Sequence, residues 1–278
     1  MSDFSTSRVL GRSGLVCGRL GLASSYGGSP RGFEAAFEQG CNYFYWGSMR
    51  RKGMGDAIKT IASRKREKLT VVLQTYSRVA LLTELTLKKG LRDLKLDYAD
   101  VLLLGWYNKK PSEGFLEKIL KLKEKGLFRK LAISCHDRPT FREYISDARF
   151  DLIMLRYNAA HRGAEREVFP FLDQTTSKPG VVSYTATRWS TLIDPKLTPK
   201  GLKTPTAVDC YRFALSNPHV DLCLTGPATD AQLEDNMKAL RLGPLSPDEM
   251  SWIKEVGDHV HKLTSKKVFT NPFMQRHE

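Results

Sequence analysis

The 278-residue sequence contains no apolar run approaching the roughly 18 residues needed to cross a bilayer, so no membrane partner is expected. Its first residues, MSDFSTSRVL, lack the charged-then-apolar order of a secretory leader, and a cytoplasmic location is the expectation. Cysteine is sparse: Cys17, Cys41, Cys135, Cys210 and Cys223 are odd in number, scattered, and without CxxC or Cys/His ligand spacing. That pattern argues against a disulfide framework and a zinc site, and no metal is expected. No GxGxxG follows a strand and opens a helix, which counts against an open doubly wound sheet. Acidic residues are outnumbered, 30 against 44 Lys plus Arg, for a net charge of +14. Such an excess favours anionic partners, but it is spread along the chain. Its densest run, SRKREK from Ser63 to Lys68, falls where a helix should end, where cations suit the helix dipole and solvent. No aromatic-interleaved basic motif accompanies it, so no nucleic-acid partner is expected.

What the sequence does contain is a repeat. At 41% hydrophobic and 27% charged residues, a chain of this length can bury roughly 75% of its unfolded surface. Short apolar runs recur, each followed by an amphipathic stretch: RLGLAS from Arg19, NYFYW from Asn42, LTVVLQT from Leu69, ADVLLLG from Ala99, KLAISC from Lys130, DLIMLRY from Asp151, GVVSYT from Gly180 and VDLCLTG from Val220. Helical patterns such as RGFEAAFEQG, FLEKILKLKEKG, EREVFPFLDQ and TDAQLEDNMKAL lie between them, several closed by a C-capping glycine. Eight strand-helix units in one chain predict an α/β fold, a closed (β/α)8 TIM barrel spanning residues 1–278 as a single domain. SRVLGRSGLVCG predicts an N-terminal β-hairpin, SPDEMSWIKEVGDHVHKL an extra C-terminal helix, and Thr264 to Glu278 a polar tail. In such a barrel the site lies at the C-terminal strand ends.

Four stretches read together carry a resemblance. LGLASSYG, GLRDLKLDYADVLLLGW, DLIMLRYNAAHRGAERE and above all LTGPATDAQLEDNMKAL resemble the aldo-keto reductase superfamily over essentially the whole chain. The resemblance implies an eight-stranded barrel that binds NADP(H) at the strand ends and reduces carbonyls with an Asp, Tyr, Lys and His tetrad; NAD(H) is left open. On the cofactor side, Gly226 and Asn236 match the family's glycine and adenine-contacting Asn, Asp235 stands where Glu is common, and Gln232 stands where many members grip the 2'-phosphate with Arg. Thr229, read as an N-cap, and the N-H groups after it offer a phosphate site without that Arg. Tyr184 matches the ring that stacks on the nicotinamide and Ser134 the Ser of a Ser-Asn pair, while Cys135 replaces the Asn and Met154 a carboxamide-contacting Gln. Ser24 and Thr185, at strand ends, complete the expected cofactor contacts.

The tetrad positions are all changed. Tyr45 stands for the Asp, Tyr76 for the Lys and Gly105 for the His, and Arg50 falls where the Tyr would lie, in a loop that is about three residues short. An isolated phenol with a pKa near 10 is a poor acid or base at neutral pH, but an arginine beside it lowers that value. Tyr45, Tyr76 and Arg50 are therefore the candidate catalytic groups, with Arg51 the other candidate arginine, against the alternatives that the phenols merely fill a vacated site and that both arginines are loop-surface charges. Trp106, Tyr107 and His136 are expected to line the substrate pocket; packing of the rings against loops, and a helix start for His136, are the alternatives. Cys135 has no basic partner fixed by the sequence to make it a nucleophile. Three readings stay open: an NADP(H)-dependent oxidoreductase of non-standard chemistry, a catalytically inactive barrel that binds a nucleotide or metabolite, and a lyase or isomerase acting on an anionic substrate. The expected partner is a small molecule, an anionic one among the candidates; the oligomeric state is left open.

Overall fold

The computed structural model of the chain describes residues 3–24, 26–47 and 49–268, the last four for the backbone only. At the N-terminus β1 (Arg8–Val9) and β2 (Val16–Cys17) pair antiparallel as the expected hairpin. Leu10 and Cys17 are fully buried among the side chains of the barrel lumen, so the hairpin plugs one end. Eight strands then follow at the predicted places: β3 (Leu20–Ala23), β4 (Tyr43–Trp46), β5 (Thr70–Thr75), β6 (Ala99–Leu104), β7 (Phe128–Ser134), β8 (Leu152–Arg156), β9 (Gly180–Tyr184) and β10 (Leu222–Thr225). They are parallel, pair in chain order, and close through β10 against β3.

Alternation along each strand sorts the core into two layers. Tyr43, Tyr45, Val72, Val101, Leu103, Met154, Val182 and Leu224 fill the lumen, whereas Phe44, Trp46, Val71, Leu73, Leu102 and Ile153 face the helices. The base is tied by a regular device on every second barrel strand. Asn42 Oδ1 accepts the Gly18 N-H (3.0 Å), Asp100 Oδ2 that of Val71 (2.8 Å), Asp151 Oδ2 that of Leu131 (2.8 Å) and Asp221 Oδ2 that of Val181 (2.9 Å). In each case a side chain at the start of one strand closes the backbone of the strand before it. Buried carboxylates need countercharge, and Arg66 (2.8 Å) serves Asp100 while Arg8 (3.0 Å) serves Asp221.

The surrounding helices are α1 (Pro30–Glu38), α2 (Lys52–Lys65), α3 (Ala80–Leu94), α4 (Glu113–Glu124), α5 (Phe141–Ser146), α6 (Ala164–Glu167), α7 (Phe169–Asp173), α8 (Ala207–Ser216), α9 (Asp230–Leu242) and α10 (Pro247–Val268). Three sequence expectations need correction. EREVFPFLDQ is two short helices, because Pro170 has no N-H to give and its ring opposes the preceding turn. The last helix runs on to Val268 rather than yielding to a tail at Thr264; residues 269–278 lie outside the described residues. The SRKREK run is not simply a solvated helix end: Lys65 pairs with Glu38, but Arg66 turns inward to Asp100 and lies over the Tyr98 ring. Among the described residues no helix is long and apolar enough to cross a membrane, and no cluster of His, Cys, Asp and Glu could hold a metal ion. All five cysteines are buried free thiols.

Candidate active site at the strand ends

One cavity of about 970 Å³ opens at the C-terminal ends of the strands, at the upper end of what a small-molecule site needs. Of the predicted residues, Tyr45, Tyr76, Trp106, Ser134, His136, Tyr184, Thr185, Gly226 and Gln232 line it. Its floor is built from the lumen face of the strands. Tyr45 is only 7% exposed and donates its hydroxyl to Gln74 Oε1, a short contact in the lumen. Tyr76, just past β5, is 50% exposed and packs on Trp106 with ring centroids 5.8 Å apart.

This arrangement depends on two glycines. A Cβ at Gly47 would lie 2.1 Å from Tyr45 Cζ. A Cβ at Gly105 would lie 2.2 Å from Gln74 Nε2 and 2.7 Å from the Tyr76 ring. The space that a histidine at position 105 would occupy is therefore filled by Gln74 and Tyr76. Tyr45, Gln74 and Tyr76 thus pack against the space that Gly47 and Gly105 leave open.

Arg78 fixes the neighbouring rim. Its guanidinium donates to the carbonyls of Tyr76 (2.9 Å), Gly105 (3.0 Å) and Trp106, and lies 3.6 Å over the Tyr107 ring. Trp106 Nε1 donates to His136 Nε2, and its backbone N-H to Ser134 Oγ (3.0 Å). Trp106 adopts a left-handed backbone, φ +63°. The loop after β9 does the same at Thr185, Arg188, Trp189 and Ser190, so among the described residues five of the six non-glycine positions with positive φ line this cavity. Such conformations are costly and concentrate at binding sites.

Several expected residues sit elsewhere. Arg50 is outside the cavity, in a groove with Lys52 and Asp93; its guanidinium lies 5.3 Å over Trp46, on the helix-facing side of β4. Of the two adjacent arginines, it is Arg51 that lines the cavity. Tyr107 is 4% exposed and absent from the lining, because its hydroxyl donates to the Ser77 carbonyl (3.1 Å). Ser24 turns away and donates to the Met49 carbonyl. Thr229 caps α9, accepting the Gln232 N-H (3.2 Å), while Gln232 Oε1 accepts the Ala228 N-H (2.8 Å). Asp235 pairs with Lys238 on the exposed side of α9, and Asn236 is buried, giving its amide to Thr225 Oγ1 (2.9 Å). Cys135 donates to the Asp137 carbonyl (2.9 Å), and burial pushes its thiol up to about 12, the opposite of what a nucleophile needs.

Of the most prominent charges here, only Arg51, weighed with Arg50 as the arginine beside the phenols, is given a role by the sequence. Arg51, Arg156 and Arg188 line the cavity, and among its described lining residues there is no carboxylate. Arg156 ends β8 on the lumen parity of Leu152 and Met154, a signal the sequence carries. Arg188 is 4% exposed and donates to His161 Nε2. Burial, then Arg188 and Arg156, hold His161 neutral with a pKa lowered to about 2. The unfolded chain takes up that proton near 6.5 and the folded chain does not, so stability is fully present above pH 6.5 and falls as pH drops below it. The slope is about 1.4 kcal/mol per pH unit. His161→Gln is therefore expected to lose about 2 kcal/mol less than the parent between pH 7 and pH 5 in urea titrations. Burial also raises the Tyr184 phenol to about 12, with Arg156 working against it.

No family model matches the chain, and no curated protein matches it in sequence. Solved structures do match in shape. The holo form of an aldo-keto reductase from Bacillus halodurans superposes with a TM-score of 0.77 at 21% identity, over 91% of this chain and 96% of that one. An aldo/keto reductase from Klebsiella pneumoniae, in complex with NADP and acetate, gives 0.76 at 19% identity over the same shares. A putative aldo-keto reductase from Pseudomonas aeruginosa gives 0.67 at 16% identity, over 86% and 96%. The closed barrel, its antiparallel N-terminal hairpin and these superpositions show that the chain has the (β/α)8 fold of the aldo-keto reductases.

Proposed function

We propose that the cavity binds NADP(H) and presents it to an anionic organic substrate, making this chain an oxidoreductase that works without the Asp, Tyr, Lys and His tetrad. The observation that carries this reading is continuity: one cavity joins the start of α9, through Gly226, Ala228 and Gln232, to Tyr184 and on to Tyr76 and Trp106. The residues present suit such a cofactor. The N-terminus of the 13-residue α9, capped by Thr229, suits phosphate oxygens, and Tyr184 offers a flat face for a ring. When bound, the cofactor supplies hydride. The chain's own part is to bind, orient and handle the proton. Tyr45 gives its hydroxyl hydrogen to Gln74 in the lumen, so the half-exposed Tyr76 at the rim is the proton donor of this reading. The arginines favour an anionic substrate over a neutral one. The Bacillus protein is described as a holo form and the Klebsiella protein as an NADP complex, which supports the cofactor assignment by likeness of fold.

A second reading is favoured by the glycines. Gly47 and Gly105 accommodate Tyr45, Gln74 and Tyr76 packed side by side, which suits a barrel that binds a nucleotide without turnover. Steady-state oxidation of NADPH separates the two. The first reading expects turnover with anionic aldehydes, ketones or quinones, and Tyr76→Phe is expected to lower it about 10-fold or more with nucleotide affinity unchanged. NADPH bound at micromolar affinity but never oxidised across such a panel would leave the second.

Asp230 gives an independent check. It opens α9 and accepts from Ser29 N (2.7 Å) and the Ser29 hydroxyl, which brings a carboxylate to the helix end assigned to phosphate. Asp230→Asn is expected to tighten NADPH about 2- to 5-fold at low ionic strength, with the gain fading in salt. Unchanged affinity at low salt would move the phosphates away from α9.

A further inference from the structure

Arg156 carries a feature that the cofactor does not explain. Its Nε is buried and has no hydrogen-bond partner; among the described residues only Thr83 Oγ1 shares that condition. Nε and Nη2 lie on one edge of the planar guanidinium and point two N-H groups the same way. The contact of Nη2 on that edge is His136 Nδ1, at 3.4 Å. The Trp106 indole, a donor only, gives its hydrogen to His136 Nε2. Nε thus stands without an acceptor beside an Nη2 whose contact to His136 is long, on a guanidinium that also approaches the Tyr184 hydroxyl and lines the cavity. A buried charged donor left in this state is costly, and a ligand that satisfies it gains accordingly.

We infer that the Nε–Nη2 edge of Arg156 holds the carboxylate of an aromatic organic acid. This rests on reading the cavity as a small-molecule site and names the class of molecule it takes. A carboxylate matches two parallel N-H donors in a plane, and it brings a single charge into a half-enclosed cavity, with less desolvation than a phosphate dianion. The walls supply the aromatic selectivity. The Trp189 ring lies over the guanidinium at 5.1 Å, and the Tyr76–Trp106 pair adjoins His136, whose ring is 5.4 Å from that of Trp106. Trp189 and Arg188 are held in left-handed backbone, which places the indole beside the arginine at a conformational cost that a bound ligand would justify.

Calorimetric titration of the full chain with 2-naphthoate, 2-naphthamide and phenyl phosphate, with NADPH titrated separately, tests this. The acid is expected to bind at least 10-fold more tightly than the isosteric amide and more tightly than phenyl phosphate. Arg156→Gln is expected to abolish the preference for acid over amide. Arg156→Lys keeps the charge and loses the fork, and is expected to weaken the acid about 10-fold; this variant carries the test should the glutamine variant fail to fold by its melting curve. Equal binding of acid and amide, preference for the phosphate ester, a preference surviving in Arg156→Gln, or no acid binding at millimolar concentration would each overturn the assignment. NADPH binding without acid binding refutes only this inference, whereas acid binding without NADPH binding refutes the cofactor reading and leaves this one standing.

Discussion

Placing a histidine at position 105 is expected to damage the protein. Even the first side-chain atom at that position meets Gln74 Nε2 at 2.2 Å and the Tyr76 ring at 2.7 Å. Gln74 cannot swing away freely, because it is buried and its Oε1 holds the Tyr45 hydroxyl. Overpacking of this kind costs about 1–3 kcal/mol for a methyl group and more for an imidazole. Gly105→Ala should lower the melting temperature by roughly 2–10 °C and Gly105→His by more, with NADPH oxidation no better than the parent's. Shortening the obstacle is the control: Gly105→Ala combined with Gln74→Ala should regain most of the loss. Undiminished stability of Gly105→His would show that the rim has slack and that the lumen is not packed around these residues.

The largest effect on stability is expected at the base of the barrel, from Asp221→Ala. This carboxylate, 8% exposed, accepts the Val181 N-H at 2.9 Å and is paired with Arg8 at 3.0 Å. Removing it strands a buried N-H and leaves Arg8 and the part-buried Arg19 side by side without their counter-ion. Stranding a buried N-H costs about 1–3 kcal/mol and the ion pair, with Arg8 40% exposed, adds up to about 1 kcal/mol, which for a chain of this size is roughly 2–16 °C in melting temperature. Asp221→Asn keeps an acceptor for Val181 and should lose less. A fall of under 1 kcal/mol for the alanine variant would show that the repeated base device is decorative.

These two sites mark where the sequence is informative and where it is not. All eight strands are legible because each combines an apolar run with a following amphipathic stretch, and alternation correctly assigns Tyr43 and Tyr45 to the lumen and Phe44 and Trp46 to the helices. The same alternation applied to β8 would have singled out Arg156, which shares the parity of Leu152 and Met154. Loops obey no such period. Nothing in MRRKGM says which of two adjacent arginines turns inward, and a cation-π contact with Trp46 takes Arg50 out of the cavity while Arg51 lines it. Tyr107 follows Trp106 directly, yet the left-handed turn at Trp106 sends the two rings in different directions, one to the cavity and one into the core. Asn236 sits in the motif that carries the resemblance, but Thr225 takes its amide. That Gly47 and Gly105 make room for the phenols and Gln74 appears only when the side chains are in contact.

The central question is whether this rim holds a nicotinamide dinucleotide phosphate. Fluorescence titration of the full chain with NADPH, repeated on Tyr184→Ala, asks that directly. The account predicts micromolar affinity for the parent and about a 10-fold loss on removing the ring, which base-aromatic stacking is large enough to supply. No change in fluorescence up to millimolar NADPH would contradict it, and would turn the barrel into a site for the anionic ligand alone.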